Sequence, residues 1–144
     1  MKTRILKSII LLFTAFAAAG CSMAVAGNEK SGVDVDLTLL SGNLAYAEMG
    51  VMLANPDDYM GKTVKISGSY VTSYYDLTEL TYHYVALLDV TTCCQQAIEF
   101  ILEDAEPGDY PEIYANIEIT GIFGVYDELG RDYCFLAVDS IKTL

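Results

Sequence analysis

The sequence predicts a mainly β domain, five strands preceded by one short helix, behind an N-terminal export signal. Three observations carry that reading. Eleven tyrosines, no tryptophan and abundant Val and Ile favour strands. The apolar period changes from helical before Gly61 to alternating after it. The chain opens on a basic, then apolar, then small-residue stretch, the composition of a secretory signal.

In that stretch Lys2, Arg4 and Lys7 precede apolar residues 9–19. A spanning helix needs about 20 apolar residues, so this run is too short. Ala18-Ala19-Gly20-Cys21 reads as a lipobox, in which Cys21 takes a diacylglycerol and becomes the new N-terminus. Ala24-Val25-Ala26 is a rival signal, and cleavage after Ala26 would release a soluble secreted protein. The expected organisation is a lipoprotein signal peptide at 1–20, a tether at 21–40 and a folded domain at 41–144. The expected location is extracytoplasmic, held to the membrane through lipid on Cys21.

The net charge is −12, and loss of the three basic residues of the signal leaves five basic against 20 acidic side chains, a charge of −15. Lys30, Lys62, Lys65, Arg131 and Lys142 are scattered and form no basic patch. Such a field repels nucleic acid, so no nucleic-acid partner is expected. Signatures of nucleotide binding, hydrolase nucleophiles and zinc proteases are absent from the sequence, and a single histidine leaves little room for His-based catalysis. A non-catalytic chain is the expectation.

Element by element, residues 42–54 are the helix, with Leu44, Ala47, Val51 and Ala54 on one apolar face and Ser41 or Asn43 as cap. Asn55-Pro56 ends it, because a residue before proline avoids the helical region. Residues 62–71 alternate, with Val64, Ile66 and Tyr70 on one face and a bend at Gly68. Residues 72–80 read as a polar loop, and 81–91 and 95–103 as the second and third strands. Residues 104–114 hold Pro107-Gly108 and Pro111 and form an irregular connection. Residues 115–126 are the fourth strand, with Ile117, Ile119, Phe123 and Val125 inward and Gly121 at the middle. A turn at 127–131 leads to the fifth strand, 132–142. Long first and fourth strands with internal glycines suit a strongly curved sheet, and together the pattern predicts a five-stranded OB-fold-like barrel.

The run Asn55-Pro56-Asp57-Asp58-Tyr59-Met60-Gly61-Lys62-Thr63-Val64 resembles a motif of small bacterial OB-fold lipoproteins of Firmicutes type, which have no assigned function. Cys93-Cys94-Gln95-Gln96-Ala97-Ile98-Glu99-Phe100 and Tyr133-Cys134 are similar to further motifs of the same group, which usually has Gly at the position of Ala97. The resemblance covers residues 40–142. It implies a fold and a location, and it does not imply a reaction.

Three cysteines remain once Cys21 is set aside: Cys93, Cys94 and Cys134. Three arrangements are open. One disulfide can join Cys134 to Cys93 or Cys94, leaving one odd thiol. The three thiolates, with His83 or a carboxylate, can hold Zn or Cu. Against this, adjacent cysteines on a strand point to opposite faces and converge only in a turn or bulge. The doublet can also be a redox-active or vicinal disulfide, although no basic neighbour lowers a thiol pKa. Tyr70, Tyr82 and Tyr84, with Tyr74 and Tyr75, mark a face on which a glycan or peptide can stack. The expected function is a non-catalytic binding or assembly module of a membrane-anchored lipoprotein. The alternative is a thiolate metal-binding lipoprotein using Cys93, Cys94 and Cys134.

Overall fold

In the computed structural model, which describes residues 32–144, six strands and one α-helix form the domain. The expected signal peptide, Cys21, most of the expected tether and the alternative cleavage site at Ala26 lie outside the described residues. The strands are β1 (Val35–Asp36), β2 (Thr63–Tyr75), β3 (Leu80–Leu88), β4 (Gln95–Leu102), β5 (Asn116–Glu128) and β6 (Arg131–Thr143), and the helix α1 is Gly42–Ala54. The sheet is mixed, in the order β1-β2-β3-β4-β6-β5, and β2 also pairs with β5, so five strands close into a ring. Within the ring β4 and β6 run parallel and all other pairs are antiparallel.

Closure depends on β2 changing partners halfway. Residues 63–69 pair with β5 and residues 69–75 pair with β3. The change falls at Ser69, next to Gly68, where a Cβ would lie inside contact of the Ala86 carbonyl oxygen. Gly121 plays the same part in β5, where the pairing with β6 slips between Ile119 and Gly121. Both glycines permit a close approach of neighbouring backbones that any side chain would block.

The inside of the ring is the core. Val64, Ile66 and Tyr70 of β2, Val85 of β3, Ile98 and Phe100 of β4, Ile117, Ile119 and Phe123 of β5, and Leu136 and Val138 of β6 are all buried. Alternation placed the β2 and β5 residues correctly, because each strand buries a single face. The loop expected over 72–80 is shorter than that. β2 continues to Tyr75 and β3 begins at Leu80, with residues 76–79 as the turn.

α1 follows the expected bounds but buries a different face. Ala45, Met49 and Met52 are buried, whereas Leu44 is 59% and Val51 46% exposed. The helix is apolar on all sides, so spacing alone does not select the packed stripe. It lies against β3 and β4, with Gly50 close over the Gln96 side chain. The folded domain also begins earlier than the expected boundary at residue 41. Val35–Asp36 pairs in parallel with Val64 and Lys65, and Leu37 is buried in the core. The chain therefore joins the domain before residue 40.

The Asn55-to-Lys62 run now has a physical account. Asn55 caps α1 through its backbone and its side chain, both donating to the Val51 carbonyl oxygen at 3.0 Å. Pro56 starts a single 3-10 turn. Tyr59 then buries its ring beside Phe123 and donates its hydroxyl to Glu48 at 2.7 Å. Gly61 takes a φ of 73° and donates its N–H to the Phe123 carbonyl oxygen at 2.9 Å, which delivers the chain into β2.

Candidate functional site

Two hairpins extend past the closed part of the ring, β2–β3 and β5–β6. On their outward faces side chains alternate away from the core, so Tyr82 and Tyr84 of β3 fall on one side and Val85 on the other. The same parity puts Tyr126 and Glu128 of β5, and Arg131 and Tyr133 of β6, on the outward face. The two hairpins face each other across a cleft of about 250 Å³ lined by Ser73, Tyr75, Tyr82, Tyr84, Tyr126, Glu128, Arg131 and Tyr133.

Polar contacts hold these rings in place. Tyr82 donates its hydroxyl to Glu128, with both carboxylate oxygens at 2.8 Å, and so ties one hairpin to the other. Tyr126 stacks beside Tyr133 at 5.8 Å between centroids and meets Phe135 edge-on at 5.6 Å. Its hydroxyl donates to Glu99 Oε2 at 2.6 Å. Glu99 is a buried carboxylate on β4, opposite Tyr84 and Phe135. Burial pushes its pKa up, and the Tyr126 hydrogen bond works against that rise. Burial and then the Glu99 hydrogen bond push Tyr126 up, so it keeps its proton. Burial is also the main cause of the raised pKa values of Tyr82 and Tyr84. The result is a rigid aromatic wall with hydroxyl groups, one carboxylate and one guanidinium at its rim.

Of the tyrosines expected to face a ligand, Tyr82 and Tyr84 line this cleft and Tyr70 does not. Tyr70 is 3% exposed and points into the ring, where its hydroxyl and His83 Nδ1 are 2.7 Å apart. His83 faces the same interior and stacks on Tyr110 at 3.7 Å. Burial lowers its pKa, so it is neutral at pH 7. His83 is therefore packed among aromatics and is not a neighbour of the cysteines. Tyr126, Glu128, Arg131 and Tyr133 complete the cleft and were missed from the sequence. Their alternation with the inward Phe123 and Val125 was the available signal.

The cysteines are separated. Cys93 and Cys94 sit exposed in the β3–β4 turn, and Cys134 is half-buried on β6 opposite Val125. β4 and β6 are parallel with Glu99 opposite Phe135, so Cys134 is level with Ile98. That is four residues past Cys94, about 13 Å along the strand at roughly 3.3 Å per residue. A disulfide needs Cα atoms within about 7 Å, so the expected bond from Cys134 to the doublet does not form in this arrangement. All three thiols are free. The expected three-thiolate site is corrected on the same ground.

Instead the doublet meets Asp89, and the ligand atoms of Asp89, Cys93 and Cys94 all lie within 4.8 Å of one another. The two Sγ atoms are 3.4 Å apart, and Cys93 Sγ is 3.7 Å from Asp89 Oδ2. Hydrogen bonding from Thr91 is the main cause of a lowered Asp89 pKa and also of a lowered Cys93 pKa. The Cys93 thiol raises that of Cys94. Glu99 and Asp89 form no carboxylate pair, since one is buried at mid-strand and the other lies in the turn. No protein-family model and no curated protein matches this chain.

Proposed function

We propose that this chain is an exported lipoprotein whose domain is a non-catalytic binding module of OB-fold type, held at the outer face of a membrane. The OB-fold reading is supported by five strands closing in one ring with a single parallel pair, β4 and β6, and by a first ring strand that changes partners at Ser69. Export and lipidation at Cys21 are supported by the basic, apolar and lipobox sequence of residues 1–21.

The observation that carries the binding role is the tyrosine cleft. In an OB-fold, ligands lie across the second and third strands between the loops that here are the β2–β3 and β5–β6 turns. The cleft lies between those two turns and is lined from β2, β3, β5 and β6, which supports the reading. Five tyrosine rings offer flat stacking surfaces, while their hydroxyls, Glu128 and Arg131 offer hydrogen bonds at the rims. Flat apolar faces edged with hydroxyls are the chemistry of a sugar ring, and the ligand class that fits is a short oligosaccharide. The overall acidity disfavours a nucleic-acid strand in the same cleft. Glu99 is held by Tyr126 beneath the wall and does not line the cleft, which leaves Glu128 as its only carboxylate.

The test is binding of the domain to an arrayed panel of bacterial and host glycans, with Tyr84→Ala as control. Retention of one glycan class by the parent and its loss in the variant supports the reading. Equal retention by both, or none by either, overturns it.

A further inference from the structure

Consecutive cysteines in a strand cannot share a ligand, because their side chains leave opposite faces. The β3–β4 turn removes that obstacle. Thr92 adopts a φ of 56°, a conformation that β-branched residues rarely take, and the chain reverses so that both sulfurs fall on one side. Asp89 anchors the turn. Its Oδ1 accepts the N–H groups of Cys93 at 3.1 Å and Cys94 at 3.4 Å, and its Oδ2 accepts the Thr91 hydroxyl at 2.7 Å. Its own N–H donates to the Cys94 carbonyl oxygen at 3.1 Å. The carboxylate is thereby fixed with Oδ2 toward the sulfurs.

The spacing of these atoms can be set against the bond lengths of candidate metals. A tetrahedral zinc with metal–sulfur bonds of about 2.3 Å and a metal–oxygen bond of about 2.1 Å needs sulfurs about 3.8 Å apart and sulfur to oxygen about 3.6 Å. The observed separations are 3.4 Å and 3.7 Å. A linear two-thiolate copper(I) would need sulfurs roughly 4.6 Å apart at the same bond length, well beyond what the turn presents. We propose that Cys93, Cys94 and Asp89 form a tetrahedral site for a zinc-type divalent cation, with its fourth position open to water.

Binding releases two thiol protons to solvent and forms two metal–thiolate bonds and one metal–carboxylate bond, with no change of oxidation state. Thr91 is a positioning residue, because it holds Asp89 and touches Cys93 Sγ at 2.9 Å without offering a thiolate or carboxylate itself. The site is separate from the tyrosine cleft. It lies at the α1 end of β3, and the cleft lies at the other end of that strand, among the hairpin turns. The strong negative charge of the domain raises the local concentration of cations for either form of the chain.

The experiment uses the detergent-solubilised full chain carrying Cys21→Ser, reduced and metal-free, titrated with Co²⁺ and then with Zn²⁺. One equivalent of Co²⁺ is expected to give the intense visible bands of tetrahedral cobalt and a thiolate charge-transfer band, both lost as Zn²⁺ displaces it. Cys93→Ser or Cys94→Ser should abolish the tetrahedral spectrum, Thr91→Val should weaken binding about tenfold, and Cys134→Ser should leave it unchanged. A pale octahedral spectrum, a spectrum that survives both cysteine substitutions, or one lost with Cys134→Ser would overturn the site. The exposed position of the turn keeps the Thr91, Cys93 and Cys94 variants folded, and circular dichroism checks these and the Cys134→Ser variant on β6.

Discussion

The Tyr126 hydroxyl reaches from β5 past β6 to Glu99 Oε2 on β4, at 2.6 Å. This single bond ties the wall of the cleft to the buried face beneath it. The Tyr126→Phe variant removes the donor and leaves the Glu99 carboxylate buried without it. The expected loss is about 1–3 kcal/mol in denaturant unfolding, the usual result of orphaning a buried acceptor.

Glu99 also gives a pH signature. Burial raises its pKa in the folded state. Below the unfolded value both states carry the proton and the contribution is fully present. As pH rises from the unfolded value through the raised folded one, the unfolded state ionises first and that contribution is lost. The stability difference between Glu99→Gln and the parent should therefore grow in favour of the variant as pH rises through that window. Paired thermal melts at a series of pH values measure it, and a pH-independent difference would contradict the assignment.

The turn between β5 and β6 is strained at one residue. Leu129 and Gly130 have φ values of 53° and 78°, the pattern of a tight two-residue hairpin. Glycine suits that conformation and leucine does not, and Leu129 is 67% exposed with no packing role to offset it. Leu129→Asn should stabilise the domain by about 0.5–1 kcal/mol, a rise in Tm of roughly 2–5 °C.

Gly121 is fixed by a close approach. A Cβ at this position would stand 2.5 Å from the Ala137 carbonyl oxygen and 2.8 Å from Val138. Backbone cannot yield as a side chain can, so Gly121→Ala should cost about 1–3 kcal/mol or more. The same substitution at Gly130 meets no atom within 4 Å, so its cost comes from φ alone. Chemical denaturation of the two variants side by side separates crowding from conformational strain.

The strands β2 and β5 were legible because each buries mainly one face. Val64 and Ile66, or Ile117 and Ile119, stand two residues apart and disappear into the ring together. The helix face was not legible, because Leu44 and Val51 are as apolar as Met49 and Met52, and only the sheet beneath decides which stripe it covers. β1 was missed because two residues carry no period, and its pairing with β2 is nonlocal. Tyr82 and Tyr84 were legible as ligand-face candidates, but Tyr126 and Tyr133 join them only where the β5–β6 hairpin faces the β2–β3 hairpin. Tyr70 shares the buried face of Val64 and Ile66, as its alternation with them indicated, and so does not join the ligand-face tyrosines. Asp89 joined the cysteines through turn geometry that spacing does not encode.

The central claim is that the tyrosine cleft takes a sugar. The direct measurement is two-dimensional NMR of the domain with ¹³C-labelled tyrosine rings, titrated with a panel of oligosaccharides. The account predicts saturable shifts at Tyr75, Tyr82, Tyr84, Tyr126 and Tyr133, with buried Tyr59 and Tyr70 unmoved. Unchanged ring signals with every oligosaccharide, or shifts confined to tyrosines outside the cleft, would contradict it.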